Sequence, residues 1–207
     1  MSIYTRKSSW YNGGMKKILT VPNPILRQTS KTIQSIDRKT QRLIKDLGDT
    51  LQSRSPRGVG LSAVQIGKTL RVFAILLPPS GDPEDKEKPI LQIIINPEII
   101  EASPELTLGP NKEKPTLEGC LSIPGFWGPV YRHRWVTVKY STLIPKPYAL
   151  RKRSETLIDF PSRVFQHELD HLNGILFTDR SVKDNLPIYE AKGEKLEEVS
   201  LAYAPLF

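Results

Sequence analysis

Short apolar runs bounded by proline or polar residues recur through the middle of the chain. Runs of this kind are typical of strands, because turn residues flank β-branched and apolar positions. In one of them, Val136, Val138 and Tyr140 alternate with polar residues, which is the period of a half-buried strand. The predicted strands are 71–77, 91–96, 98–101, 135–141 and 156–160.

Three other segments carry helical patterns. Leu43, Leu47 and Leu51 recur at four-residue spacing, which predicts a helix over 37–53 capped by Asp37. A second helix is predicted over 162–173, between a proline and a glycine, and a third over 189–202, where a glycine interrupts the pattern. Because strands and helices do not alternate in βαβ order, the pattern predicts an α+β fold with short antiparallel or mixed sheets.

Composition narrows the class of protein. A chain of 207 residues fits one domain, and no apolar run approaches the roughly 20 residues of a membrane span. The single cysteine, Cys120, cannot form an intramolecular disulfide, so a reducing cytosol is the expected compartment. Residues 1–45 hold ten Lys/Arg and one acid, which accounts for the net charge of +8. We expect this basic segment to be a surface extension or a face that contacts RNA phosphates. It carries no pattern that indicates specific DNA recognition.

The second predicted helix carries a metal-binding pattern. His167 and His171 are four residues apart, so both imidazoles lie on one helical face and can reach one ion. Glu168, beside the first histidine, stays free to handle protons. The motif predicts a metal-assisted hydrolase with this helix at the centre of the fold.

The third metal ligand stays open at this point. Phe177 stands six residues after His171, where an astacin-like protease would need histidine, so that class is excluded. A thermolysin-like zinc peptidase would use a later glutamate, such as Glu190. The competing ligand is Cys120, because Gly119 permits a tight backbone approach at the end of a strand.

Three motifs together resemble the peptide deformylase family. The segment 58–65 (GVGLSAVQ) is similar to the family's GxGLAAxQ, with Ser62 in place of alanine. The segment 118–122 (EGCLS) and the segment 166–174 (QHELDHLNG) match the other two family motifs. The resemblance implies a catalytic domain over 17–180, preceded by a basic extension over 1–16 and followed by a partly helical tail over 181–207.

The resemblance also implies a ligand set and catalytic roles. Cys120, His167 and His171 would bind one divalent metal, most commonly Fe²⁺ in this family, with Zn²⁺, Ni²⁺ or Co²⁺ as alternatives. Glu168 would be the general acid and base. Two further groups, the Gln65 side chain and the Leu121 backbone N–H, would stabilise the oxygen of the reacting carbonyl.

The implied reaction removes the N-formyl group from the initiator methionine of new polypeptides and releases formate. Gly58, Val59 and Gly60 would bind the peptide backbone, and Val59 and Val164 would line the methionine pocket. We also expect Arg132 to pair with Glu118 beside the cysteine. The expected partners are N-formylmethionyl nascent peptides and the ribosome, in a bacterial cytoplasm or, alternatively, an organelle.

Two other functions stay open on the sequence alone. One is the thermolysin-like peptidase with Glu190 as third ligand. The other is a basic ribosome-binding or RNA-binding relative without catalytic activity. Both make different predictions from a deformylase, because the first needs Glu190 and the second releases no formate.

Overall fold

The computed structural model describes residues 14–111, 114–145 and 148–199. Within these ranges the helices α1 to α3 are Arg38–Gln52, Phe160–Leu172 and Phe177–Lys183. The strands β1 to β11 are Gly60–Ser62, Val72–Leu77, Ile90–Ala102, Leu106–Thr107, Leu117–Cys120, Ile123–Pro129, Arg132–His133, Trp135–Pro145, Tyr148–Ile158, Ile188–Lys192 and Lys195–Val199. Two single-turn 3-10 helices, Pro24–Arg27 and Ala63–Ile66, complete these elements.

The strands form three antiparallel sheets. The five-stranded sheet has the order β1-β2-β3-β8-β9, the four-stranded sheet β11-β10-β6-β5, and the small sheet pairs β4 with β7. Helices and antiparallel sheets in one chain confirm the predicted α+β class. Among the described residues, no helix is long and apolar enough to span a membrane.

The five-stranded sheet is covered by a helix on each face. Alternate residues of β2, such as Ala74, pack with Leu47 and Leu51 of α1. The intervening residues, such as Phe73, pack with Phe165 of α2, and the two rings meet edge to face at 5.2 Å. Since both faces are covered, every residue of β2 is buried. A separate small core joins the four-stranded sheet to α3.

The two helices with the clearest sequence patterns form as predicted. The Asp37 side chain accepts a hydrogen bond from the Thr40 N–H at 2.7 Å and so caps α1. The α2 helix has Pro161 in its first turn and ends just before Gly174, which confirms the helix predicted over 162–173.

The strand predictions need three corrections of length, and one of them is β8, which continues past the predicted end at residue 141 to Pro145. The predicted strands 91–96 and 98–101 are one strand, β3, because a bulge accommodates Pro97 and Asn96 adopts a left-handed conformation at φ 51°. The strand predicted at 156–160 overlaps only the end of the longer β9, which stops at Ile158, and the last predicted residue, Phe160, begins α2. β9 is an edge strand of the sheet, and its first half is rich in charged residues. Because an edge strand is open to solvent, polar side chains can lie on both of its faces.

The helix predicted over 189–202 is wrong for its described part. Residues 188–199 form the hairpin β10–β11, which turns at Gly193 with φ 65°. Pairing of β10 with β6 overrides the weak helical pattern, since Tyr189 lies opposite Trp127 in the sheet. The short helix α3, which spans the expected boundary at residue 180, was not predicted. The expected extension 1–16 lies outside the described residues except for residues 14–16.

A segment near the start of the described chain contacts all three sequence motifs through its main chain. We call residues 19–30 the N-terminal strap. The Leu19 N–H donates to the Gln65 carbonyl at 2.8 Å, and the Val21 N–H donates to the Ser122 carbonyl at 3.0 Å. The Ser30 N–H donates to the carbonyl of Leu172, the last residue of α2, at 2.8 Å. The strap therefore joins three segments that are distant in sequence.

Candidate metal centre and active site

Cys120, at the end of β5, lies against His167 and His171 of α2. Their ligand atoms all lie within 4.8 Å of one another. The Cys120 Sγ is 3.1 Å from Nε2 of His171, and the two imidazole rings are 5.0 Å apart between centroids. The structure therefore brings together the three residues that the sequence motifs identified.

Two local features place these side chains. Helix α2 presents His167 and His171 one turn apart on the same face. Cys120 ends β5 at a register shift in the β5–β6 pairing, and the Ser122 N–H points at its Sγ at 3.4 Å. Gly119 is required beside it, because an added Cβ would lie 2.5 Å from the Trp127 ring.

The donor set fits one divalent metal ion. In tetrahedral sites, ligand bonds of about 2.0–2.3 Å place the ligand atoms about 3.3–3.8 Å apart, close to the spacing of this cluster. Burial is the main cause that lowers the pKa of His171 well below its ordinary value, and it favours the neutral imidazole that metal binding requires. Among the described residues, Nδ1 of His171 is buried without a hydrogen-bond partner.

Glu118 orients the first histidine. Nδ1 of His167 donates to Oε2 of Glu118 at 2.9 Å, which leaves Nε2 free as the ligand atom. Arg132 binds both oxygens of Glu118, at 3.0 and 2.8 Å, which confirms the expected pair. Burial alone would raise the pKa of Glu118, but the Arg132 guanidinium and the hydrogen bonds of Arg132 and His167 hold it well below its ordinary value.

Two members of this buried charge network were not predicted. Arg163 donates to Oε1 of Glu118 at 2.8 Å, and Asp170 forms ion pairs with Arg132 and Arg180. Arg163 precedes His167 by four residues and so shares its helical face, a signal that could have found it. The network leaves each buried carboxylate facing at least two cationic groups, which offsets the cost of burying the charges.

Glu168 lies beside the candidate metal ligands and is almost fully buried. Burial raises the pKa of this carboxyl to about 7. Gly60 faces it so closely that an added Cβ would lie 2.2 Å from Oε1 of Glu168. Ser62 approaches the same carboxylate from the end of β1, with Oγ 2.7 Å from Oε2. No role for this serine hydroxyl is predicted by the sequence motifs.

Gln65 points its amide at the cluster. Its Oε1 accepts a hydrogen bond from the Ser62 N–H at 2.7 Å, which orients Nε2 towards Cys120 Sγ at 3.6 Å and Ser122 Oγ at 3.1 Å. Gln65 is buried, so this orientation is held by its neighbours. Leu121 follows Cys120 in the turn between β5 and β6 and lines a cavity above the cluster.

A cavity of about 730 Å³ opens over these groups. All four predicted substrate-binding residues line this cavity: Gly58, Val59, Gly60 and Val164. The Val164 side chain is buried and Val59 is half-buried. The cavity also has apolar walls that the motifs did not predict, formed by Leu117, Trp127 and Phe160. A cavity with an apolar wall and a few convergent polar groups is typical of a small-molecule or peptide site.

Glu190 lies apart from the cluster formed by Cys120, His167 and His171. It is on β10, opposite Phe126 of β6, and faces Lys192 at 3.8 Å. The thermolysin-like alternative is therefore not favoured, because its third ligand is absent from the group that the structure assembles.

Known proteins place this architecture in one family. Residues 15–186 match the family model described as Polypeptide deformylase. The peptide deformylase of Thermomicrobium roseum is 40% identical over 170 residues, covering 80% of this chain and 85% of the relative. That of Brucella suis is 32% identical over 182 residues, covering 88% and 93%.

Solved structures agree with the sequence relatives. The crystal structure of an Acinetobacter baumannii class I type b peptide deformylase with Met-Ala-Ser bound has a TM-score of 0.67 and 30% identity. The match covers 81% of this chain and 99% of that one. The Thermotoga maritima enzyme gives a TM-score of 0.64 at 32% identity, covering 81% and 97%. By sequence and by architecture, the chain belongs to the peptide deformylase family of metal-dependent hydrolases.

Proposed function

We propose that this protein removes the N-formyl group from the initiator methionine of newly synthesised polypeptides and releases formate. The reaction would take place in the cavity beside Cys120. The observation that carries this proposal is the Cys120, His167 and His171 cluster, which opens into a peptide-sized cavity next to a buried glutamate. Around this cluster, α2 would serve as the central metal-binding helix of the fold.

These three side chains would hold one divalent ion, which we propose to be Fe²⁺, with Zn²⁺, Ni²⁺ and Co²⁺ as alternatives. When bound, such an ion lowers the pKa of water towards 7 and polarises a carbonyl group. Glu118 would fix the His167 ring through its hydrogen bond to Nδ1, and Arg132 would hold Glu118 in turn.

Glu168 would take the proton from the attacking water and deliver it to the methionine nitrogen as the formyl bond breaks. A pKa of about 7 suits both steps, because a carboxyl poised near neutrality can accept and then return a proton. Gln65 Nε2 and the Leu121 backbone N–H would donate to the carbonyl oxygen as it gains negative charge. The fixed orientation of the Gln65 amide supports this role.

The peptide would bind as an extended strand along Gly58, Val59 and Gly60. β1 begins at Gly60 and is an edge strand of the five-stranded sheet, so its outer side can accept a further strand. Val59 and Val164 would then form part of the apolar pocket for the methionine side chain.

We place this activity in a bacterial cytoplasm, with an organelle as the alternative compartment. Protein synthesis begins with formylated methionine in both compartments, and nascent chains at the ribosome would be the source of substrate. The proposed catalytic domain is 17–180, with 1–16 as a basic extension that could contact ribosomal RNA. Nothing in the sequence calls for a membrane or a specific DNA partner.

The direct test is formate release from formyl-Met-Ala-Ser under anaerobic conditions, with metal analysis of the same sample. We expect stoichiometric formate and about one metal ion per chain. Anaerobic handling matters because Fe²⁺ and a thiolate ligand are both sensitive to oxidation. Metal-loaded protein that releases no formate would contradict the proposal, and cleavage of internal peptide bonds would support the peptidase alternative instead.

The cavity rim predicts a preference among formylated peptides. Lys17, Arg54 and Arg57 line the mouth and are exposed, while the acids in the lining, Glu118 and Glu168, are buried deeper. We expect formyl-Met-Ala-Asp to be turned over with a higher kcat/KM than formyl-Met-Ala-Lys, by about 2–5-fold for exposed charge pairs. Added salt should remove the difference.

The matched variants are Arg54→Gln with Arg57→Gln for the rim and Lys68→Gln for an exposed cation elsewhere. The double rim variant should narrow the difference between the two peptides, because Lys17 is then the last of the three rim cations, whereas Lys68→Gln should leave the ratio unchanged. An unaltered ratio in the rim variants would show that these cations do not contact the substrate.

A further inference from the structure

Ser62 stands where the family motif has alanine, and its hydroxyl is fully buried against Glu168. Its Oγ lies 2.7 Å from Oε2 of Glu168 and 3.0 Å from the main-chain oxygen of the same residue. The shorter contact goes to the carboxylate that the proposed reaction uses for proton transfer. An alanine at this position would leave that carboxylate without a hydroxyl partner.

The main chain of Ser62 acts on the other side of the site. Its N–H donates to Oε1 of Gln65 at 2.7 Å, which leaves Nε2 of Gln65 aimed at the cysteine. One residue at the end of β1 therefore contacts both the glutamate and the glutamine proposed to act on the substrate.

We propose that Ser62 is a positioning residue, whose hydroxyl holds the Glu168 carboxylate in the orientation needed for proton transfer. This inference rests on the proposed function. Gly60 lies so close to Oε1 of the same carboxylate that no side chain would fit at this position. Contact with Ser62 on one oxygen and with the glycine backbone on the other leaves the carboxylate little freedom to rotate.

A hydroxyl suits this position because it can donate and accept hydrogen bonds. Towards the carboxylate, Ser62 donates to Oε2. Towards the protonated acid, the same oxygen accepts, and its own hydrogen turns to the main-chain oxygen of Glu168 at 3.0 Å. The contact thus persists while Glu168 holds the proton that it later returns.

The test is steady-state turnover of formyl-Met-Ala-Ser by Ser62→Ala. Loss of the restraint should lower kcat about tenfold, while KM and metal content stay unchanged. Ser181→Ala is the matched control, because Ser181 is also fully buried and its hydroxyl bonds to main-chain oxygens away from Glu168. It should lower thermal stability to a similar degree and leave kcat unchanged.

A second background separates positioning from a general loss of packing. In Glu168→Asp the shorter side chain withdraws from Ser62 Oγ, so adding Ser62→Ala should lower single-turnover rates no further. If the two effects multiply, or if Ser62→Ala keeps full kcat, the positioning role is wrong while the deformylase activity stands. Absence of formate release by the unaltered protein would instead overturn the proposed function itself.

Discussion

Replacing Cys120 with alanine is expected to remove bound metal and formate release together. The thiolate is one of the three proposed ligands, and without it the two imidazoles would supply only two of the four positions of a tetrahedral site. Removal of a side chain that hydrogen-bonds to a metal ligand typically lowers metal affinity about 10–100-fold, and removal of the ligand itself should lower it further. Metal content by elemental analysis and formate release on the same preparation measure both effects.

The control for this prediction is Glu190→Gln, which removes the ligand required by the thermolysin-like alternative. Because Glu190 lies on β10 outside the cluster, we expect full metal content and full activity. The opposite pattern, in which Cys120→Ala keeps its metal and Glu190→Gln loses it, would overturn the assigned ligand set. Thermal unfolding of both variants shows whether either change acts through the fold.

The second large effect is expected for Glu168→Gln. The amide has the size of the carboxyl but cannot accept and return a proton, so kcat should fall by about 10²–10⁴-fold. Metal binding should persist, because Glu168 is not a member of the ligand cluster. Stopped assays with excess enzyme can follow the residual turnover.

Glu101→Gln provides the comparison, since Glu101 is an exposed carboxylate on β3, away from the catalytic cavity. Its kcat should match that of the unaltered protein. Equal activity of Glu168→Gln and Glu101→Gln would mean that another group transfers the proton. A loss of metal in Glu168→Gln would show that the change had disturbed the ligand geometry.

The predictable parts of the fold were those whose local sequence agrees with their surroundings. Helix α1 has both a capping aspartate and a regular apolar stripe, and β2 is an unbroken apolar run, so both were found. The hairpin β10–β11 was not, because its formation depends on pairing with β6. Charged β9 residues at the edge of the sheet also obscured the length of that strand.

The site divides in the same way. The spacing of His167 and His171 predicts a metal-binding helix face, and the resemblance to deformylases supplied Cys120 as the third member of the candidate site. By contrast, the contact of Ser62 with Glu168 depends on which segments meet in three dimensions. No local pattern states that a serine at the end of β1 will lie against a glutamate on α2.

The N-terminal strap has a consequence for how the protein is made. Its main-chain bonds to Gln65, Ser122 and Leu172 join early and late parts of the chain. None of these bonds can form before both partners have emerged during synthesis, and contacts of long sequence separation slow folding. The catalytic centre therefore reaches its final form only after translation has passed α2, so a partly synthesised copy cannot yet process other chains.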